Sequence, residues 1–156
     1  MNELFLDPYG ENDGAQKIEV WNGASGDFDV GGYTLRGCGT ELSFADGTVV
    51  AAGGFLVVHV GLSGANDAGN IFAPAMNTLD AISGEMALVA PDGVIGDYVQ
   101  WGEAGQSLEG YAAAEGQWVA GEVCVKPVEG TSLSYVGSGS HATDYTARYP
   151  TIGSPN

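Results

Sequence analysis

Apolar residues in this chain recur in short runs punctuated by glycine-containing reversals. Asp7-Pro8-Tyr9-Gly10, Asp13-Gly14, Asn22-Gly23, Gly31-Gly32, Asp46-Gly47, Gly53-Gly54 and Asp92-Gly93 lie close enough together to leave room for strands and too close for long helices. Lys17-Ile18-Glu19-Val20-Trp21 alternates with period two, so Ile18 and Val20 are expected on one face and Glu19 and Trp21 on the other. Phe55 to Val60 is continuously apolar, as in a central strand covered on both faces. Met86–Ala90 and Val94–Trp101, joined by Pro91-Asp92-Gly93, predict a β-hairpin with Asp92 and Gly93 at positive φ. Residues 61–80 and 102–131 lack this alternation and read as surface excursions, with at most one helical turn near Ala112–Glu115. No linker, repeat or shift in composition divides the chain. The expectation is one all-β domain spanning 1–156, an antiparallel sandwich of seven to nine strands, with 102–130 as a long surface connection.

Charge narrows the function classes. Twenty Asp and Glu stand against four Lys and Arg, a net charge of -16. Such a surface repels phosphates, so nucleic acid is an unlikely partner. Twenty-six glycines in no fixed triplet exclude collagen and suit a turn-rich fold. No apolar run is long enough for a bilayer span, and the N-terminus lacks the basic and apolar regions of a secretory signal, so Met1 reads as a start residue before a mature or excised domain. Antiparallel sheets bury one face each, so the carboxylates are expected outside, where their mutual repulsion would be relieved by high salt.

Candidate chemistry is sparse. No G-x-S-x-G or comparable nucleophile context occurs. His59 falls in the most apolar strand and reads as a histidine hydrogen-bonded within or at the edge of the core, while His141 reads as solvated. Gly137–Ser140 lacks the following Lys-Ser/Thr of a phosphate loop. Asp7, Glu11, Asn12 and Asp13 fall within seven residues on a loop with Gly10 and Gly14 and are candidate Ca²⁺ ligands, since that ion takes six to eight oxygens; Asp27 and Asp29 form a weaker pair. Among the aromatics Trp118, in Gly116-Gln117-Trp118-Val119, is the expected exposed ring and candidate sugar contact, whereas Trp21 and Trp101 lie in strands and read as core or half-buried packing residues. Cys38 and Cys124 either form a disulfide, contributing ~4 kcal/mol in the chain-entropy model, or are two small buried apolar side chains.

Several segments, in order, resemble the lamin tail domain family. They are Asn2-Glu3-Leu4-Phe5-Leu6-Asp7-Pro8, Lys17–Asn22, Asp29-Val30-Gly31-Gly32-Tyr33-Thr34-Leu35, Phe44-Ala45-Asp46-Gly47 with Gly53-Gly54 and the following strand, Pro91-Asp92-Gly93 with Asp97–Gly102, Thr131-Ser132-Leu133, and the close Pro150–Asn156. Lys17 departs from the family, which often has an aromatic there, and 102–130 is longer than a minimal domain of this type needs. The resemblance implies an immunoglobulin-like sandwich working as a noncatalytic interaction or spacer module of an extracellular or cell-surface protein, with a protein or surface glycan as partner and no required cofactor. A Ca²⁺- or carbohydrate-binding domain that targets an attached hydrolase or nuclease is the alternative. No heptad repeat accompanies these segments, so a filament role does not follow.

Overall fold

A computed structural model describes all residues, 1–156. In chain order the strands are β1 (Glu3–Phe5), β2 (Lys17–Trp21), β3 (Phe28–Asp29), β4 (Thr34–Gly37), β5 (Thr40–Ser43), β6 (Val49–Val50), β7 (Phe55–Val60), β8 (Asn70–Ala73), β9 (Gly84–Val89), β10 (Ile95–Trp101), β11 (Ser132–Tyr135) and β12 (Tyr145–Arg148); the one α-helix is α1 (Glu109–Ala114). They form a six-stranded sheet, β12-β11-β1-β2-β7-β8, a four-stranded sheet, β10-β9-β4-β5, and a two-stranded ribbon, β3-β6. All pairs are antiparallel except β7 with β8. The molecule is thus an all-β sandwich. Its twelve strands exceed the seven to nine expected because β3, β6 and β8 are too short or too irregular in pattern to show alternation.

One core joins both sheets. Leu4, Ile18, Val20, Leu56, Val58 and Leu133 of the larger sheet share a buried cluster with Leu35, Met86, Leu88, Val99 and Trp101 of the smaller. The alternation of β2 holds: Ile18 and Val20 are buried in this core and Trp21 emerges on the opposite face.

Two turns show how the reversals work. The hairpin between β9 and β10 closes with Gly93 N–H to Ala90 C=O at 2.9 Å and Ala90 N–H to Val94 C=O at 2.8 Å. Only Gly93 has positive φ, at 90°, and Asp92 does not. The loop is therefore three residues long, a type I turn with Pro91 first and a left-handed glycine last, rather than a two-residue turn. The two-residue turn lies instead between β4 and β5, where Gly37 pairs with Thr40 and both Cys38 (φ 49°) and Gly39 (φ 69°) are left-handed.

Neither expected excursion is confined to the surface. Ala73, Met76 and Leu79 of 61–80 are buried in the core, as are Ala112, Trp118 and Cys124 of 102–130. The second segment covers the outer face and open edge of the smaller sheet: Cys124 N–H donates to Gln100 C=O at 3.0 Å and Gly102 N–H to Cys124 C=O at 3.2 Å, a parallel bridge along β10. Tyr98 and Gln100 stand on that face, and an uncovered edge strand with such a surface invites association. The expectation that carboxylates stay outside also fails for four of them. Glu3, Glu19, Glu85 and Glu109 are buried, and each accepts hydrogen bonds from amides or hydroxyls rather than from a cation. Glu85 takes the Tyr98 hydroxyl (2.9 Å), the Ser107 hydroxyl (2.5 Å) and the Leu108 N–H (2.9 Å), which ties the covering segment to β9.

Candidate functional site

The acidic loop does not assemble as a metal centre. Asp7 is half-buried, Glu11 and Asp13 are exposed, and no three Asp, Glu, His or Cys side chains converge in a geometry suited to an ion. Asp13 accepts from the Thr78 hydroxyl at 3.4 Å, and the Asp7 carbonyl accepts from Gly130 N–H at 2.7 Å, so the loop is anchored to its neighbours. Asn12 Oδ1 is the one buried side-chain polar atom without a hydrogen-bond partner. Asp29 serves a local turn, accepting from Gly31 N–H, whereas Asp27 accepts from the distant Ala52 N–H beside the β3–β6 ribbon.

Trp118 is not an exposed ring. It is 3% exposed, packs edge-on against Tyr98 with centroids 5.4 Å apart, and donates its indole N–H to Glu122 C=O at 3.0 Å. The apolar ring of Tyr98 on the outer face of β10 needs a cover, and Trp118 is the bulky side chain of the covering segment that supplies it. Cys38 and Cys124 are both free thiols: Cys38 Sγ lies on Glu85 C=O and Cys124 Sγ on Ala142 C=O. The disulfide is therefore not formed, and the small apolar reading applies. Burial raises both thiols, that of Cys124 to about 12. His59 is held at the core edge as expected, with Nε2 3.0 Å from Asn70 Oδ1 and its ring stacked on Phe72. His141 is half-exposed beside Glu122.

The indole left open is Trp21, 46% exposed. Trp101 donates its N–H to Asp80 C=O and Trp118 to Glu122 C=O, whereas that of Trp21 meets no protein acceptor. Gly23 packs so closely on the six-membered ring of Trp21 that a Cβ there would stand 2.9 Å from it. The ring is thereby held over its own turn with much of its surface in solvent. The alternation of β2 sets Trp21 on the face away from the core, but its place in a strand predicts a packed or half-buried ring, and the structure leaves it the most open of the three indoles.

Around Trp21 the chain builds a cleft. The C-terminal residues cross the outer face of the larger sheet and are pinned by its two buried carboxylates: Glu3 accepts from Thr151 N–H (3.0 Å) and the Thr151 hydroxyl (2.9 Å), and Glu19 accepts from Gly153 N–H and from Asn2 Nδ2 (2.7 Å). Asn156 Nδ2 then donates to the Asn2 and Tyr135 carbonyls, each at 2.9 Å. Burial raises the Glu19 carboxyl above its ordinary range, opposed by the Gly153 and Asn2 donors and reinforced by neighbouring Glu3. Between this docked tail and the sheet end lies a recess of about 390 Å³, lined by Trp21, Phe55, Tyr135, Pro155 and the Asn2 and Asn156 amides, with no charged side chain. A second recess of about 170 Å³ shares Trp21 and Tyr135 and adds Tyr145 and Asp97. Ligand pockets typically occupy about 300–1,000 Å³, so the larger recess is of ligand size.

A larger cleft of about 500 Å³ at the β4–β5 turn is predominantly polar, and its buried carboxylate, Glu85, is committed to the three donors named above. No protein-family model matches the chain, and no curated protein matches it.

Proposed function

We propose that the protein is a noncatalytic interaction module of an extracellular or cell-surface protein, of lamin tail type, and that the Trp21 cleft is its contact surface. The observation that carries this reading is the contrast between the exposed indole of Trp21, with no protein acceptor for its N–H, and the buried carboxylates, which are spent on holding segments of the fold. The lamin tail reading rests on the resembling segments, of which those around Lys17–Trp21, Thr34–Leu35 and Phe55–Val58 lie on β2, β4 and β7. The test is to incubate labelled protein with cell-envelope polymers and surface proteins, measuring retention alongside release of reducing ends, phosphate and amines. Retention without turnover is the expected result; turnover of any of these materials refutes the noncatalytic reading.

A Ca²⁺-binding targeting role is the second reading, and the unpartnered Asn12 Oδ1 is the feature that favours it. It is decided by thermal melts of metal-stripped protein with CaCl₂, where a saturating rise at submillimolar ion that Asp13→Ala abolishes would establish it.

A further inference from the structure

The larger recess at Trp21 departs from the acidic composition of the chain. The protein carries twenty carboxylates, yet the larger recess has no charged side chain, only rings and amides. An anionic ligand would meet the field of a chain with net charge -16 and find no Lys or Arg in the recess. A peptide that binds by adding a strand needs an open sheet edge, and β2, β7 and β11, which carry Trp21, Phe55 and Tyr135 of the larger recess, have none. β2 is paired on one side with β1 and on the other with β7, and β11 lies between β12 and β1. The neutral, ring-lined recess suits a ligand that is amphipathic at the scale of one ring, with C–H groups for the indole and hydroxyls for the Asn2 and Asn156 amides.

From this we infer that the Trp21 cleft binds a neutral glycan, one pyranose lying against Trp21 in the larger recess and its neighbour extending past Tyr135 toward the smaller. The inference rests on the interaction-module reading and names its ligand class. Trp21 supplies the stacking surface and a free indole N–H for a sugar hydroxyl. Gly23 holds the ring in place before the ligand arrives, so little side-chain freedom is lost on binding. The docked tail supplies the opposite wall through Pro155 and Asn156, and its position depends on the Glu3 and Glu19 contacts. The sharing of Trp21 and Tyr135 by both recesses makes the site long enough for more than one residue of a chain.

The experiment uses the intact chain and a panel of neutral oligosaccharides: cellohexaose, xylohexaose, mannohexaose, laminarihexaose, chitohexaose and maltohexaose. Oligogalacturonate and a library of linear peptides serve as comparisons. Trp21 is the one indole open to solvent, so its emission and its quenching by acrylamide report directly on the cleft. At least one neutral oligosaccharide is expected to saturate the emission change and protect Trp21 from quenching. Trp21→Ala should weaken calorimetric binding at least tenfold with near-ultraviolet dichroism of the buried aromatics unchanged, and Trp21→Phe should restore part of it. No saturation by any saccharide, equal binding by Trp21→Ala, or Trp21-dependent binding of peptides or oligogalacturonate alone each overturns the inference. Reducing-end release, followed in the same samples, separates the two readings: cleavage refutes the noncatalytic module, whereas absence of both binding and cleavage refutes only the glycan site.

Discussion

Glu109→Ala should release the segment that covers β10. Glu109 opens α1 and accepts three hydrogen bonds, from Gly121 N–H at 2.6 Å, Gly105 N–H at 2.7 Å and Gln100 Nε2 at 2.7 Å. Its carboxylate therefore ties both flanks of the helix to the outer face of the smaller sheet. Each hydrogen bond to a charged group is worth about 1.5–3 kcal/mol, but amides freed at a loosened surface segment regain water, so the net loss is set at ~3 kcal/mol rather than the sum. For a chain of this length each kcal/mol lowers Tm by about 2–4 °C, which places the variant about 6–12 °C below the parent. Hydrogen exchange should quicken at Gly105 and Gly121 before the core amides of β9 respond. The same carboxyl is held below its ordinary value of 4.5, chiefly by the Gly121 N–H and further by Gln100 and Gly105. The folded chain therefore binds the proton less readily than the unfolded chain, so this stabilisation is complete above pH 4.5 and is lost as pH falls through the lowered value. The Tm gap between parent and variant should accordingly narrow on acidification. A Tm loss under about 2 °C, unchanged exchange at both glycines, or a gap that widens in acid would refute the clasp.

Three further outcomes are expected. Gly37→Ala places a Cβ 2.0 Å from Glu85 C=O on the paired strand β9, so denaturant titration should show a loss of about 3 kcal/mol or more, whereas Gly96→Ala, with its nearest neighbour at 3.7 Å, should be nearly neutral. Both thiols are raised by burial, so the native protein should react slowly with a thiol-exchange reagent near about pH 8 and the denatured protein should release two equivalents; release of none would show a disulfide. CaCl₂ and KCl matched in ionic strength should raise Tm alike, because the loop carboxylates do not converge; a submillimolar effect peculiar to Ca²⁺ contradicts this.

What the sequence shows and what it hides divide along one physical line. Alternation in β2, the apolar run of β7 and the Asp-Gly hairpin are local patterns, and each element forms where its pattern lies. Trp21 is a divided case: alternation sets it away from the core, its place in a strand predicts a packed ring, and no neighbouring segment covers it fully. Trp118 misleads because its surroundings are non-local: a tryptophan in a glycine-rich segment looks exposed until that segment folds back over Tyr98. The acidic loop shows that closeness in sequence does not by itself aim side chains at one point: its carboxylates stand apart in this structure. The turn at Cys38-Gly39 carries no Asn-Gly signal, and its left-handed cysteine is imposed by the pairing of β4 with β5 and by the Sγ contact to Glu85 C=O.

The buried glutamates reconcile an acidic composition with two covered outer faces. A chain with four Lys and Arg has few cations for tying segments down, and its one pair of that kind, Arg36 with Glu41, is exposed and worth little. Glu3 with Glu19 on the larger sheet, and Glu85 of β9 with Glu109 of α1 over the smaller sheet, do that work with amide and hydroxyl donors. Such contacts act at hydrogen-bond distance, far inside the ~8 Å Debye length of physiological salt, so added salt screens the repulsion among surface carboxylates and leaves the clasps intact. Scarcity of Lys and Arg is therefore compatible with firm attachment of the tail and the covering segment. Because the tail forms one wall of the Trp21 cleft, the Glu3 and Glu19 contacts that stabilise the fold also set the shape of its open aromatic site.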